Sequence, residues 1–314
     1  MKIFPLLTNE IAPTLFLIVN LLVFFTLLFW ILGLIFPQKN FDDLKTKTYA
    51  WWIIFFCYVF MTLISFKIFI ISMAALSFIA FRELISKLDI SFQSRRIIFW
   101  AYLAIPVQYY LIYKGLMFAY LIFIPVGMFY FIPLRAILSG ITKDSVKVFS
   151  TIYWGLMLTV FGLGHLAFYF SLPQVAGSGA GPSGIILFLV FMTEMNDIFQ
   201  FICGKLFGRH KISPQISPNK TVEGFIGGLF FTTLAGYFLR NLLPFNSTQT
   251  IIASALIAIS GFFGDLNMSA IKRDLQIKDM GNFIPGHGGL LDRIDSLLFS
   301  AVMFFYLYYY WIYT

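Results

Sequence analysis

The chain is dominated by apolar runs of bilayer length, which recur from one end to the other and leave little room for a water-soluble core. They place membrane spans at residues 11–36, 49–65, 68–81, 97–113, 116–134, 148–171, 183–203, 225–240, 250–268 and 296–313. Only Lys67 divides the second span from the third, so that pair is the weakest point of the count. Composition agrees: 60% of residues are hydrophobic and 11% charged, against about 25% charged in a soluble domain. The expected fold class is all-α, a polytopic integral membrane protein of about ten transmembrane helices.

Charge placement tests the count. With ten spans, Lys2, Lys67, Lys114 and Arg240 fall on one side, and the other eighteen of the 22 lysines and arginines fall on the opposite side. Basic residues mark cytoplasmic loops. Both termini are therefore expected outside, and the net charge of +8 belongs mainly to the cytoplasmic face. With no soluble basic domain, nucleic acid is excluded as a partner. The first run is too long for a signal-peptide core and lacks a small-residue cleavage site, so it reads as an anchor. Cys57 and Cys203 both fall within spans, which suggests neither a disulfide nor a zinc site.

The chain divides into 1–183, spans joined by short loops, and 184–314, where the chemistry lies. In the first part Arg82, Glu83 and Asp89, beside Phe81, sit at a span end and read as solvated polar residues. The stretch "PQVAGSGAGPSG", 173–184, reads as an outer connecting loop. No internal repeat suggests the halves of a transporter. In the second part, residues 194–296 carry eight of the 14 acidic residues, several inside or beside apolar spans. Ionisable groups there are costly and mark functional sites by default.

Three constellations stand out. In "GFFGDLNMSAIKRD", 261–274, a continuing helix would align Asp265, Ser269 and Lys272 on one stripe, with Arg273 beside it. A simple Asp265–Lys272 pair is the plainer alternative to an anion site. In "KDMGNFIPGHGGLLDRIDS", 278–296, glycines allow backbone amides to approach phosphate. Asp292 and Asp295, three apart, share a helix face and suit a divalent cation, although acidic residues also cap helix N-termini. His287 could equally serve only the turn. In "GKLFGRHKISPQISPNKTVEGFIGG", 204–228, Lys220 and Thr221 lack the upstream glycines of a P-loop. Ser217, Lys220, Thr221 and Glu223 remain, with Arg209, His210 and Lys211 nearby, in a loop expected to be basic and cytoplasmic. Glu194, Asn196, Asp197 and Gln200 add carboxylates and amides near the inner end of the seventh span. Hard carboxylate oxygens suit magnesium, which usually also takes substrate phosphate. Together the pieces describe a metal-assisted phosphate site at the membrane surface.

The stretch "SAIKRDLQIKDMGNFIPGHGGLLDRID", 269–295, resembles the signature of the phosphatidate cytidylyltransferase (CDP-diacylglycerol synthase) family. Ser269, Lys272, Arg273, Lys278, Asp279, Pro285, His287, Gly288, Gly289, Asp292, Arg293 and Asp295 fall on its pattern. The segment 204–228 is similar to the family's upstream region, and the resemblance covers about 194–296. It implies an integral membrane enzyme of the bacterial inner membrane with a cytoplasmic active site. It also implies CTP and phosphatidic acid as substrates, CDP-diacylglycerol and pyrophosphate as products, and Mg2+ as cofactor. A second, monovalent cation and a homo-oligomer are left open. Carried over by position, Asp265 and Asp292 would bind the metal, with Asp197 and Asp295 as further carboxylates, and Lys272 would act with them in catalysis. Ser217, Lys220, Thr221, Ser269, Arg273, Lys278, His287 and Arg293 would bind substrate. One departure lies at "NDIFQF", 196–201, where Phe199 and Gln200 are bulkier than the family pattern and bear on the lipid acceptor.

A phosphate-monoester oxygen, with a second pKa of about 6, would be an ionised nucleophile that needs no base. The enzyme's task would be to bring two anions together. A CTP-dependent lipid kinase, which would need a base for a hydroxyl, and an anion or nucleotide transporter are the rival readings.

Overall fold

The computed structural model describes residues 8–36, 41–87, 95–140, 145–173, 180–281 and 288–314. Among the described residues there are ten helical rods: α1 (Ile11–Ile35), α2 (Asp42–Leu63), α3 (Phe66–Ser86), α4 (Arg95–Tyr113) and α5 (Met117–Leu138), then α6 (Ser145–Ser171), α7 (Gly181–Phe207), α8 (Val222–Phe238), α9 (Ser247–Asp274) and α10 (Leu291–Tyr313). Between α7 and α8 a two-stranded antiparallel hairpin, β1 (Lys211–Ser213) and β2 (Ser217–Thr221), replaces the loop expected over 204–222. Seven rods are long and apolar enough to cross a membrane; α2, α4 and the 17-residue α8 fall outside that set. The protein is an all-α polytopic membrane protein.

The doubtful second and third segments are separate helices. Ser65 is extended and its hydroxyl accepts from the Ile68 N–H, giving α3 its own N-cap. Two rods carry a π-helical stretch, Phe123–Met128 in α5 and Met157–Gly162 in α6. The first contains Pro125, whose missing N–H removes an α-helical bond and favours such a bulge.

Several helices extend beyond the apolar runs that announced them. The run at 250–268 belongs to a helix reaching Asp274, and the run at 296–313 to one beginning at Leu291. Those extra turns hold Lys272, Arg273, Asp292, Arg293 and Asp295 of the signature.

Helices α7 to α10 pack as one group, joined by polar contacts inside the bundle. On α7, Thr193, Asn196, Asp197 and Gln200 recur at helical spacing and form a polar stripe. Thr193 Oγ1 lies 2.9 Å from Ser300 Oγ on α10. Asn196 donates to the Ala258 carbonyl on α9 (3.1 Å) and accepts from Thr232 Oγ1 on α8 (3.3 Å). In an apolar medium such bonds satisfy groups that water cannot reach.

Small residues set the spacing. A Cβ on Gly224 would lie 2.8 Å from the Gln200 carbonyl and 3.0 Å from Gly204 Cα, so α7 and α8 touch backbone to backbone. On Gly264 it would lie 2.5 Å from the Asp295 carbonyl, so α9 and α10 do the same. The first half joins this group through α6 and α3. Buried His165 on α6 meets the rings of Phe305 and Tyr306 on α10, and its Nδ1 lies 2.9 Å from the Tyr120 hydroxyl.

Helix direction puts the hairpin and the α9–α10 connection at one end of the group, and the α8–α9 connection at the other. Cysteines at Asn219 and Asp274 should react only with reagent on the cytoplasmic side, and one at Asn241 only from outside. The native Cys57 and Cys203 would be replaced first. Labelling of Asn219→Cys from outside would overturn this topology.

Candidate active site

Four aspartates and two lysines meet where the hairpin folds back on α7, α9 and α10. Lys220, on β2, places Nζ 2.7 Å from Asp265 Oδ2 and 4.5 Å from the centroid of the Phe262 ring. Ser269, one turn beyond Asp265 on α9, donates to Asp265 Oδ1 at 3.2 Å. Of the expected stripe of Asp265, Ser269 and Lys272, the first two are joined by a hydrogen bond, and no ion pair links Asp265 to Lys272. Lys272 instead reaches α10 and places Nζ 2.8 Å from Asp292 Oδ1.

Asp292 has every oxygen engaged. Its Oδ2 accepts from the Met280 N–H (2.7 Å) and the Gly289 N–H (2.9 Å). Only 5% of its side chain is exposed, and 15% of that of Lys272. This arrangement ties the two ends of the α9–α10 connection to each other and to α9. Acidic N-capping does not describe it, since Leu290 is the N-cap residue and has no side-chain cap bond.

Asp295, one turn further along α10, is buried and accepts from the Ser296 N–H (2.8 Å). Its carboxylate and those of Asp197 and Asp265 are close enough to repel one another, with Lys220 and Lys272 as the opposing charges. Asp197 Oδ2 accepts from Ser296 Oγ at 2.8 Å. Among the described residues its Oδ1 is buried without a protein partner, as is Nε2 of neighbouring Gln200.

A cavity of about 220 Å³ opens here, lined by Asp197, Gln200, Ser217, Lys220, Thr221 and Asp265 over the aromatic floor of Phe225 and Phe262. The hairpin is thus one wall of the site. Thr221, expected to bind substrate, lines the cavity, and its Oγ1 also accepts from the Gly224 N–H as the N-cap of α8. Glu223 holds the hairpin's entry by accepting from the Arg209 and His210 N–H groups and from His210 Nδ1 (2.6 Å).

The remaining expected residues lie further out. Arg273 is exposed and donates from Nε to the Ile216 carbonyl in the hairpin turn, at 3.2 Å. Lys278 is exposed, as is Arg293, which lies within charge range of Glu194. His287 and Pro285 fall outside the described residues.

Sequence reasoning missed Glu83. Read as a solvated residue at a span end, it is half-buried at the end of α3, and its carboxylate accepts from the Leu290 N–H (3.2 Å) and the Leu291 N–H (2.7 Å). Those donors are the unpaired amides at the start of α10. Nothing around residue 83 signals the contact. Gly281 and Gly289, 8 residues apart in the signature, are its only trace, since a Cβ on either would strike the Glu83 carboxyl.

Residues 45–311 match the model of the cytidylyltransferase family. This chain belongs to that family. It is a nucleotidyltransferase. An Escherichia coli (strain K12) protein, the uncharacterized protein YnbB, is 39% identical over 278 residues, covering 86% of this chain and 89% of that protein. The phosphatidate cytidylyltransferase of Staphylococcus aureus (strain COL) is 41% identical over 116 residues, 36% of this chain and 45% of that enzyme. That of Staphylococcus haemolyticus is 40% identical over 116 residues. The chain thus spans about half the length of these staphylococcal relatives.

The Lys272–Asp292 pair is buried enough to be tested by stability. Breaking a buried pair by removing one partner costs about 3–5 kcal/mol, because the other charge is stranded. Lys272→Met and Asp292→Asn should each lower the melting midpoint in detergent, and the double variant should lose clearly less than the sum. Additive losses would show that the two side chains act independently.

Proposed function

We propose that this nucleotidyltransferase joins CTP to phosphatidic acid, forming CDP-diacylglycerol and pyrophosphate for phospholipid synthesis. The observation that carries this reading is the cavity itself. Lysine, hydroxyl and carboxylate groups surround it at the ends of helices long enough to cross a bilayer. A soluble nucleotide and a lipid headgroup can both reach such a place. The names of the staphylococcal relatives support the choice of lipid.

In the proposed reaction an oxygen of the lipid phosphate attacks the α-phosphorus of CTP, and the bond from that phosphorus to the pyrophosphate oxygen breaks. The nucleophile is already ionised at neutral pH, so the site's work is to position two anions and to offset the charge that develops. Lys220 and Lys272 supply fixed positive charge, and Ser217 and Ser269 supply hydroxyl donors. Phe225 and Phe262 form an apolar floor that limits water.

The donor set fits a divalent cation. Four aspartates face two lysines, and a buried Asp197 oxygen has no protein partner among the described residues. Among the described residues no three acidic, histidine or cysteine side chains converge as a complete metal cage. Magnesium commonly takes only one or two carboxylates and fills its remaining positions with water and substrate phosphate. Asp197 and Asp265 would hold it, with Asp295 behind them. Asp292, whose oxygens are engaged by Lys272 and two amides, fits that role least. Bound there, Mg2+ would neutralise phosphate charge during nucleotidyl transfer. The excess of basic residues on this side supports a cytoplasmic site, in the inner membrane of a bacterium.

Purified protein given CTP labelled at the α-phosphate, phosphatidic acid and Mg2+ should yield labelled CDP-lipid. Phosphorylated lipid with free CDP would point instead to a kinase, and no turnover to a transport or binding role. In the same assay Asp197→Asn and Asp265→Asn should need more Mg2+ for half-maximal rate. Lys220→Gln should lower kcat/KM on the order of 100-fold, the scale of losing one charge-stabilising donor, with a melt near wild type. Wild-type rates at limiting Mg2+ would remove the altered aspartate from the metal site.

A further inference from the structure

Glu83 stands 207 residues from the helix start it touches, in the half of the chain that otherwise reads as scaffold. Its two oxygens take the Leu290 and Leu291 N–H groups, while Asp292 takes those of Met280 and Gly289. Two carboxylates from different helices therefore grip both described ends of the α9–α10 connection. The fit is close: the three atoms nearest a Cβ on Gly289 would all belong to the Glu83 carboxyl group, and those nearest a Cβ on Gly281 would all belong to the Glu83 side chain. The same helix start carries Asp292, which holds Lys272, and Asp295, which faces Asp197 and Asp265.

We infer that Glu83 is a positioning residue for nucleotidyl transfer. By fixing the start of α10 it sets where Asp292 places Lys272 and where Asp295 meets the other aspartates. Glu83 acts through those groups and contacts neither substrate. The geometry favours this over a purely stabilising cap. An ordinary N-cap comes from the residue beside the helix, whereas this carboxylate is delivered by α3 and seated against two glycines of the signature.

The inference rests on the enzyme reading given above but is measured on transfer to whichever acceptor the wild type uses. Inactivity of the wild type with phosphatidic acid would sink the lipid assignment and leave the Glu83 comparison to be made with the acceptor that works. Glu83→Gln keeps size and one acceptor oxygen but turns an amide N–H towards one of the two donors. It should lower kcat by about 10- to 100-fold, the scale of a displacement near 1 Å in a catalytic group. KM for CTP should change by less than about 3-fold, and rates are to be referred to folded protein measured by melting.

A second arm guards against misfolding of that variant. Gly289→Ala in the wild-type background forces the added methyl against Glu83 and should reduce kcat similarly. Glu83→Ala combined with Gly289→Ala removes the collision, so the double variant should be no worse than Glu83→Ala alone. Wild-type kcat per folded molecule in Glu83→Gln, or multiplicative losses in the double variant, would overturn the proposal.

Discussion

Everything around the site answers one constraint: carboxylates have been carried to helix ends inside an apolar bundle, where an unpaired charge is heavily disfavoured. The protein meets it in two ways. Asp265 and Asp292 each receive a lysine, at 2.7 and 2.8 Å. Among the described residues Asp197 accepts from the Ser296 hydroxyl and Asp295 from the Ser296 backbone amide, with no lysine paired to either. Carboxyl groups thus outnumber lysines by four to two at one spot, beside the cavity. The proposed binding of a cation together with anionic substrates would benefit from such incomplete compensation. A purely structural ion-pair network would have matched its charges.

Bringing these groups together depends on backbone approach more than on side-chain reach. Asp265 and Asp295 are neighbours because Gly264 lets α9 and α10 touch, and the hairpin meets α7 because Gly224 lets α8 close on Gln200. The polar stripe of α7 then fixes rotation. Asn196 spans to both α8 and α9, and Thr193 reaches α10, so Asp197 faces the cavity by necessity. In lipid the hydrophobic effect gives helices no preference for one another, and close contact with buried hydrogen bonds supplies it.

Much of this was legible in the sequence, for identifiable reasons. Apolar runs gave the rods because bilayer length is a strong signal, and the Asp265–Ser269 stripe followed from helical spacing alone. The partners of the lysines were not legible. Lys272 could reach Asp265 on its own helix, and only the crossing of α9 and α10 decides for Asp292. The hairpin escaped notice because "KISPQISPNKT" has neither the alternation nor the Asn-Gly turn that would announce strands; it is held from outside, by Arg273 at its turn and Glu223 at its base. Glu83 was invisible because a contact across 207 residues leaves no local pattern, and its complement is two absent side chains.

Asp265 and Asp292 show how far residue type and motif membership can take such an argument. Asp292 sits in the signature and Asp265 just before it, both pair with lysine, and the resemblance gives them one role. Their surroundings differ. Asp265 keeps one oxygen on Lys220 and the other on a weakly held serine hydroxyl, at the wall of the cavity of about 220 Å³. Asp292 is almost wholly covered, with both oxygens committed to groups that cannot leave without undoing the start of α10. Exchanging Lys220 for a metal ion at Asp265 requires one side chain to swing aside, while the same exchange at Asp292 would also release two buried amides. The two aspartates are therefore suited to different work: Asp265 to meeting ligands, and Asp292 to holding in register the segment that meets them.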